Sequence, residues 1–104
     1  MSIQELLSLC TKWSSERGIL VNGTLPTQAL KLVSEMGELA DNVAKHRDIK
    51  DDIGDCLVVL NNLAIMSDTT LEECLEVAYN DIKDRKGYLN GAGVFIKDSD
   101  RNAA

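Results

Sequence analysis

The chain is 104 residues long, one domain's worth, and folding at this size buries roughly 60–70% of the unfolded surface around a single modest core. Seventeen acidic residues against 11 basic ones give a formal net charge of −6, the wrong sign for gripping a nucleic acid backbone. Only four aromatics, Trp13, Tyr79, Tyr88 and Phe95, are available, too few for a single-strand stacking platform or a typical β-sandwich.

Cys10, Cys56 and Cys74 are odd in number and scattered, which predicts buried free thiols in a reducing compartment. A single histidine, His46, argues against a zinc site of the Cys/His kind. No stretch approaches a membrane span, and Glu5 interrupts any signal-peptide pattern. A cytoplasmic protein without a membrane partner is expected.

Four helical segments follow in chain order. Ser2-Ile-Gln-Glu5 is a capping-box pattern that opens the first, with Ile3, Leu6, Leu7, Cys10 and Trp13 at helical spacing. Gly18 ends it, and 19–24 reads as a loop around Asn22-Gly23. Pro26 suits the first turn of the second helix, whose Leu30, Val33, Met36, Ala40 and Val43 form an apolar stripe.

A turn is expected at Lys45 to Arg47, with Asp48 as N-cap of the third helix and Asp51 and Asp52 in its first turn. From Ile53 to Met66, ten of fourteen residues are apolar and cover nearly the whole circumference. Such a helix must be covered on several sides, which in a short chain implies a second subunit. Thr70-Leu-Glu-Glu73 is a second capping box and introduces the last helix, carrying Leu71, Leu75, Ala78 and Ile82 to a stop at Gly87. One domain, 1–104, is predicted: an all-α, four-helix core over about 2–87, then an arm over 88–104.

The informative feature is an echo between the second and third helices. Glu35-Met36-Gly37-Glu38 and Asp52-Ile53-Gly54-Asp55 both read acid, apolar, glycine, acid. Acids three apart project from one side of a helix. Each quartet also carries a mid-helix glycine, which costs about 1 kcal/mol relative to alanine and suggests a close approach. The midpoint of Gly37 and Gly54 falls at 45.5, inside the expected turn, so an antiparallel hairpin brings all four acids together. Four adjacent carboxylates repel unless some take up protons or a cation intervenes. All-oxygen ligation points to Mg²⁺ or Mn²⁺. Acid pairs at this spacing are also common on solvated faces, and spacing alone leaves both readings open.

At these residues the chain resembles the MazG-like nucleotide pyrophosphohydrolases, an all-α superfamily marked by E-E-x-x-E followed by E-x-x-D. The run from Gln28 through Glu35 and Glu38 to Ala40 is similar to the first signature helix, and Asp52-Ile-Gly-Asp55 to the second. Asn80-Asp-Ile-Lys83-Asp-Arg85-Lys86-Gly87 and the stretch Gly93 to Asp100 resemble the family's C-terminal part. Ser34 replaces the first glutamate of the motif and Asp52 the usual glutamate of the second pair.

The resemblance implies Mg²⁺-dependent cleavage of a nucleoside triphosphate to a monophosphate and pyrophosphate, in nucleotide-pool housekeeping. Glu35, Glu38, Asp52 and Asp55 would be metal ligands and catalytic residues, one of them taking a proton from the attacking water. Lys31, Asn80, Lys83 and Lys86 would bind the triphosphate, although Lys31 equally suits a simple pair with Glu35. Trp13 would bind substrate by stacking on the base, although an indole on an apolar stripe is also ordinary core. Arg85 also suits the C-terminal turn of any helix. A homodimer or homotetramer is expected, with sites near subunit contacts. Two alternatives remain: a non-catalytic helical adaptor, and a hydrolase of the same superfamily acting on dUTP, dCTP or phosphoribosyl-ATP.

Overall fold

A computed structural model describes residues 1–100 of the chain. The protein is mostly helical, as the all-α expectation has it, with five helices among the described residues and one short hairpin. Residues 101–104, the end of the expected arm, lie outside the described residues. The chain divides into two compact units, Met1–Leu71 and the part from Glu72 onward, and each is described by itself.

In the first unit, α1 (Ile3–Glu16) is capped by Ser2, whose hydroxyl accepts from the Glu5 backbone N–H at 3.1 Å. Gly18, at φ 74°, reverses the chain in a conformation that only glycine adopts freely. The segment expected as a loop is instead a single helical turn, α2 (Ile19–Asn22), with the Asn22 N–H bonded to the Gly18 carbonyl at 2.8 Å. Asn22-Gly23 reads as a turn signal, yet here it closes that helical turn. Half-buried Ile19 and Leu20 accompany the packing of α2 against α1 and α4, a tertiary effect that outweighs local propensity.

Helix α3 (Leu25–Ala44) begins at a reciprocal Thr24–Thr27 capping box, with Pro26 in its first turn. It ends at Lys45 followed by His46 at φ 56°, so the turn falls where the sequence places it. Helix α4 (Lys50–Met66) is capped by Ile49, without a side-chain bond. Asp48 is therefore not the N-cap; one residue earlier, its carboxylate accepts from the Lys50 N–H at 3.1 Å and folds the turn into the helix.

Polar contacts along α3 and α4 run from Asn42–Asp52 near the turn to Gln28–Asn62 at the far end, which makes the pair antiparallel. Helix α1 lies against α4, joined by Asn61 Nδ2 donating to Thr11 Oγ1 at 2.9 Å. Among the described residues the buried apolar ones are few, Cys56, Val59 and Ala64. The α3 stripe, by contrast, is exposed at Leu30 (70%), Val33, Met36, Ala40 and Val43. On α4, Ile53, Leu57 and Leu60 are also partly uncovered. Of the cysteines only Cys56 is buried; Cys10 is half-buried and Cys74 exposed, against the expectation of three buried thiols.

In the second unit, α5 (Leu71–Ile82) starts directly after Thr70 and stops five residues short of Gly87. Gly87 opens strand β1 (Gly87–Leu89), which pairs antiparallel with β2 (Phe95–Lys97). A side chain at Gly87 would collide with the Ile96 carbonyl oxygen, so this glycine serves strand approach and not helix termination. Ion pairing of Arg85 to Asp81 at 2.7 Å gives it the ordinary helix-end role. No helix among the described residues is long and apolar enough to cross a membrane.

Candidate functional site: a three-carboxylate group beside an apolar groove

Antiparallel pairing of α3 and α4 brings carboxylate oxygens of Glu35, Glu38 and Asp55 within 4.8 Å of one another. Glu35 is 8% exposed, and its Oε2 is buried without a hydrogen-bond partner among the described residues. A buried acceptor normally finds a donor, because leaving it bare costs on the order of 1–3 kcal/mol. Its other oxygen, Oε1, lies 3.0 Å from Lys31 Nζ.

Asp52, the fourth expected acid, is not in that group. It is buried, and both of its oxygens accept from Asn42 Nδ2, at 3.1 and 3.0 Å. Asn42 is the residue that sequence reasoning missed. Its position opposite Asp52 across the turn was the available signal. The matched glycines do not mediate a close helix approach either: at both Gly37 and Gly54 an added Cβ would meet nothing within 4 Å.

Crowding of like charges sets the electrostatics. The Glu35 carboxylate beside Glu38 is the main force raising the Glu38 carboxyl above its ordinary value, with desolvation adding to it. Asp55 is raised chiefly by desolvation, then by the negative charges of Asp51, Glu35 and Asp52. Desolvation also pushes up the Cys56 thiol, and the neighbouring acids add to it, so this cysteine is an inert packing group. Lys31 moves upward too, first through its hydrogen bond to Glu35 and then through attraction to Glu35, Glu38 and Asp55.

Next to the acids is a groove of about 400 Å³ lined by Leu6, Leu9, Cys10, Trp13, Asp55 and Val58. Asp55 thus belongs to both features. Trp13 is 47% exposed and is not a core residue; the Arg17 guanidinium covers one face of its ring, 4.2 Å from the centroid.

Asn80, Lys83 and Lys86 are exposed and belong to the second unit, at the end of α5 and the turn into β1. The first unit therefore brings together Glu35, Glu38, Asp55 and Lys31, with Trp13 at the adjoining groove.

Over 75 residues the chain is 39% identical to an uncharacterized 18.2 kDa protein in the rep-hol intergenic region of Haemophilus phage HP1 (strain HP1c1). The match covers 68% of this chain and 46% of that protein, so the chain spans about half the length of this curated relative. No protein family model matches the chain. No solved structure matches it.

Proposed function

We propose that the protein is a Mg²⁺-dependent nucleotide pyrophosphohydrolase, cleaving a nucleoside triphosphate to a monophosphate and pyrophosphate. One observation carries this reading: carboxylate oxygens of Glu35, Glu38 and Asp55 lie within 4.8 Å of one another, on a glutamate that is itself largely buried, next to an apolar groove lined by Trp13.

The donor set fits a hard divalent cation. It is all oxygen, and Glu38 is raised chiefly by the neighbouring Glu35 charge and Asp55 by desolvation and then by nearby acids, a conflict that a dication resolves. Glu35, Glu38 and Asp55 would hold Mg²⁺, or Mn²⁺ in its place. Asp52, oriented by Asn42, would stand behind them as a further acid or as a supporting charge. When bound, the ion would neutralise phosphate charge and make water a better nucleophile. The chain's own contribution is positional: Lys31 offers an ammonium to the phosphates, and the Trp13 groove takes the base.

A homo-oligomer belongs to the same proposal, a dimer or a tetramer. Exposed apolar side chains along α3 and α4, set against only three buried ones among the described residues, favour a second copy as their cover. Light scattering should return a mass above the monomer; a monomer at micromolar concentration would remove this part.

Enzymatic assignment is tested by incubating the protein with each common NTP and dNTP, with and without Mg²⁺, and measuring pyrophosphate and monophosphate. Metal-dependent release of both supports it. No turnover of any substrate, or turnover unaffected by Glu38→Gln, would overturn it and leave a non-catalytic helical module. A substrate ranking from the same plate decides among dUTP, dCTP and the other nucleotides.

A further inference from the structure

Lys31 is the described cation whose ion pair reaches the three-acid group, through Glu35 Oε1 at 3.0 Å. It precedes Glu35 by four residues, the order that gains less from the helix dipole, and unlike the exposed Lys12–Glu16 pair in the same order it ends on a largely buried carboxylate. The ammonium is drawn also to Glu38 and Asp55, and so serves the whole cluster. Its side chain is 58% exposed, while that of Glu35 is 10% exposed. A largely solvated cation thus pairs with a buried anion.

We propose that Lys31 is an internal counter-ion of the Glu35–Glu38–Asp55 group, displaced by an incoming divalent cation and thereby freed to bind the phosphates of the nucleotide. The proposal rests on the metal-dependent reading above and goes beyond it, because it makes the lysine a competitor of the metal before it is a ligand of the substrate. An ammonium and a dication repel, and both are drawn to the same Glu35 carboxylate, so binding of one at either oxygen weakens the other. Glu35 is held by its burial, whereas Lys31 sits on a flexible four-carbon stem and can leave at little cost. After leaving, it stays tethered one helical turn from the acids, within reach of a triphosphate bound to their cation. The exchange keeps a cation beside the acids in both states and supplies a free positive charge only when the metal has arrived.

Mn²⁺ binding, followed by electron paramagnetic resonance on nucleotide-free protein at low fixed ionic strength, reads the competition directly. Lys31→Met should bind Mn²⁺ at least about threefold more tightly than the unaltered protein, the size of one partly exposed ion pair. Lys31→Arg, which keeps the charge, should not tighten it. Lys45→Met makes the same change in net charge at the C-cap of α3, about 21 Å along the helix axis from Lys31 and about 10 Å from Glu38, where screening is strong, and should change the affinity by less than about twofold. With Mn²⁺ saturating, Lys31→Met should weaken binding of a non-hydrolysable nucleoside triphosphate analogue severalfold.

Equal Mn²⁺ affinity in Lys31→Met and the unaltered protein overturns the competition while leaving the metal site intact. Equal tightening by Lys31→Met and Lys45→Met overturns it as well, reducing the effect to net charge. Tightened Mn²⁺ with unchanged analogue affinity overturns the transfer to phosphate. No Mn²⁺ bound by any variant overturns the metal reading and this proposal together.

Discussion

Asn42 donates through Nδ2 to both carboxylate oxygens of Asp52, at 3.1 and 3.0 Å, across the α3–α4 turn. Asp52 is 7% exposed, so this amide compensates for much of its lost hydration. Removing the donor leaves a buried charge without a partner. Asn42→Ala should therefore lower unfolding free energy by about 1–3 kcal/mol. Asn42→Asp, which sets two carboxylates against each other, should lower it at least as much at neutral pH. Urea unfolding of the metal-free protein measures both, and an Asn42→Ala variant as stable as the parent would contradict this account.

Glu38 presents the opposite case, because its neighbours oppose its charge. The nearby Glu35 carboxylate is the chief cause. Glu38→Gln should thus raise the melting temperature of the metal-free protein while lowering Mg²⁺-dependent turnover by about 100-fold or more. Opposite signs in the two assays are the diagnostic. A variant that is both less stable and less active would mean that Glu38 is structural.

Raised carboxyls also set the sign of the pH response. Glu38 and Asp55 both titrate above their ordinary range, so between the ordinary and raised values the native state holds more protons than the unfolded one. Their contribution is favourable at low pH and is lost as pH rises through that window, the reverse of an ion-paired carboxylate. Below the ordinary values it is flat. Lys31, also raised, contributes stability up to the ordinary lysine range and loses it only in strong alkali. The melting temperature of Glu38→Gln should accordingly gain less than the parent's when pH falls from about 7.5 to about 5. Saturating Mg²⁺ should shrink the parent's gain in the same way, since a bound cation keeps the acids ionised.

The acid echo was legible because two independent features agree, spacing within each helix and symmetry about the turn. Together they bring Glu35, Glu38 and Asp55 to one place. They do not separate Asp52 from the other three, since that depends on which side chain reaches it, and Asn42 is conspicuous only once α3 and α4 are paired. The α2 turn was hidden for a similar reason. Its Ile19 and Leu20 are half-buried in a unit where α2 packs on α1 and α4, while local signals at Asn22-Gly23 favour a loop. Gly87 was misread as a helix stop because glycine marks both helix ends and crowded strand positions; the nearby Ile96 carbonyl decides for the strand.

Trp13 offers the most direct test of how a nucleotide would lie, being the single tryptophan of the chain. Arg17 covers one face of its ring, and the indole also lines the groove that Asp55 shares with the acids. A base entering that groove can stack on the indole while its phosphates extend toward Asp55 and Lys31. Nucleoside triphosphate should quench the Trp13 fluorescence, and pyrophosphate, which has no base, should not. Trp13→Ala should raise KM in line with a lost stacking contact of about 1–3 kcal/mol, leaving kcat largely unchanged. Arg17→Ala removes only the cation over the ring and should have a smaller effect, about 0.5–1 kcal/mol. Equal quenching by pyrophosphate and nucleotide would place the base elsewhere.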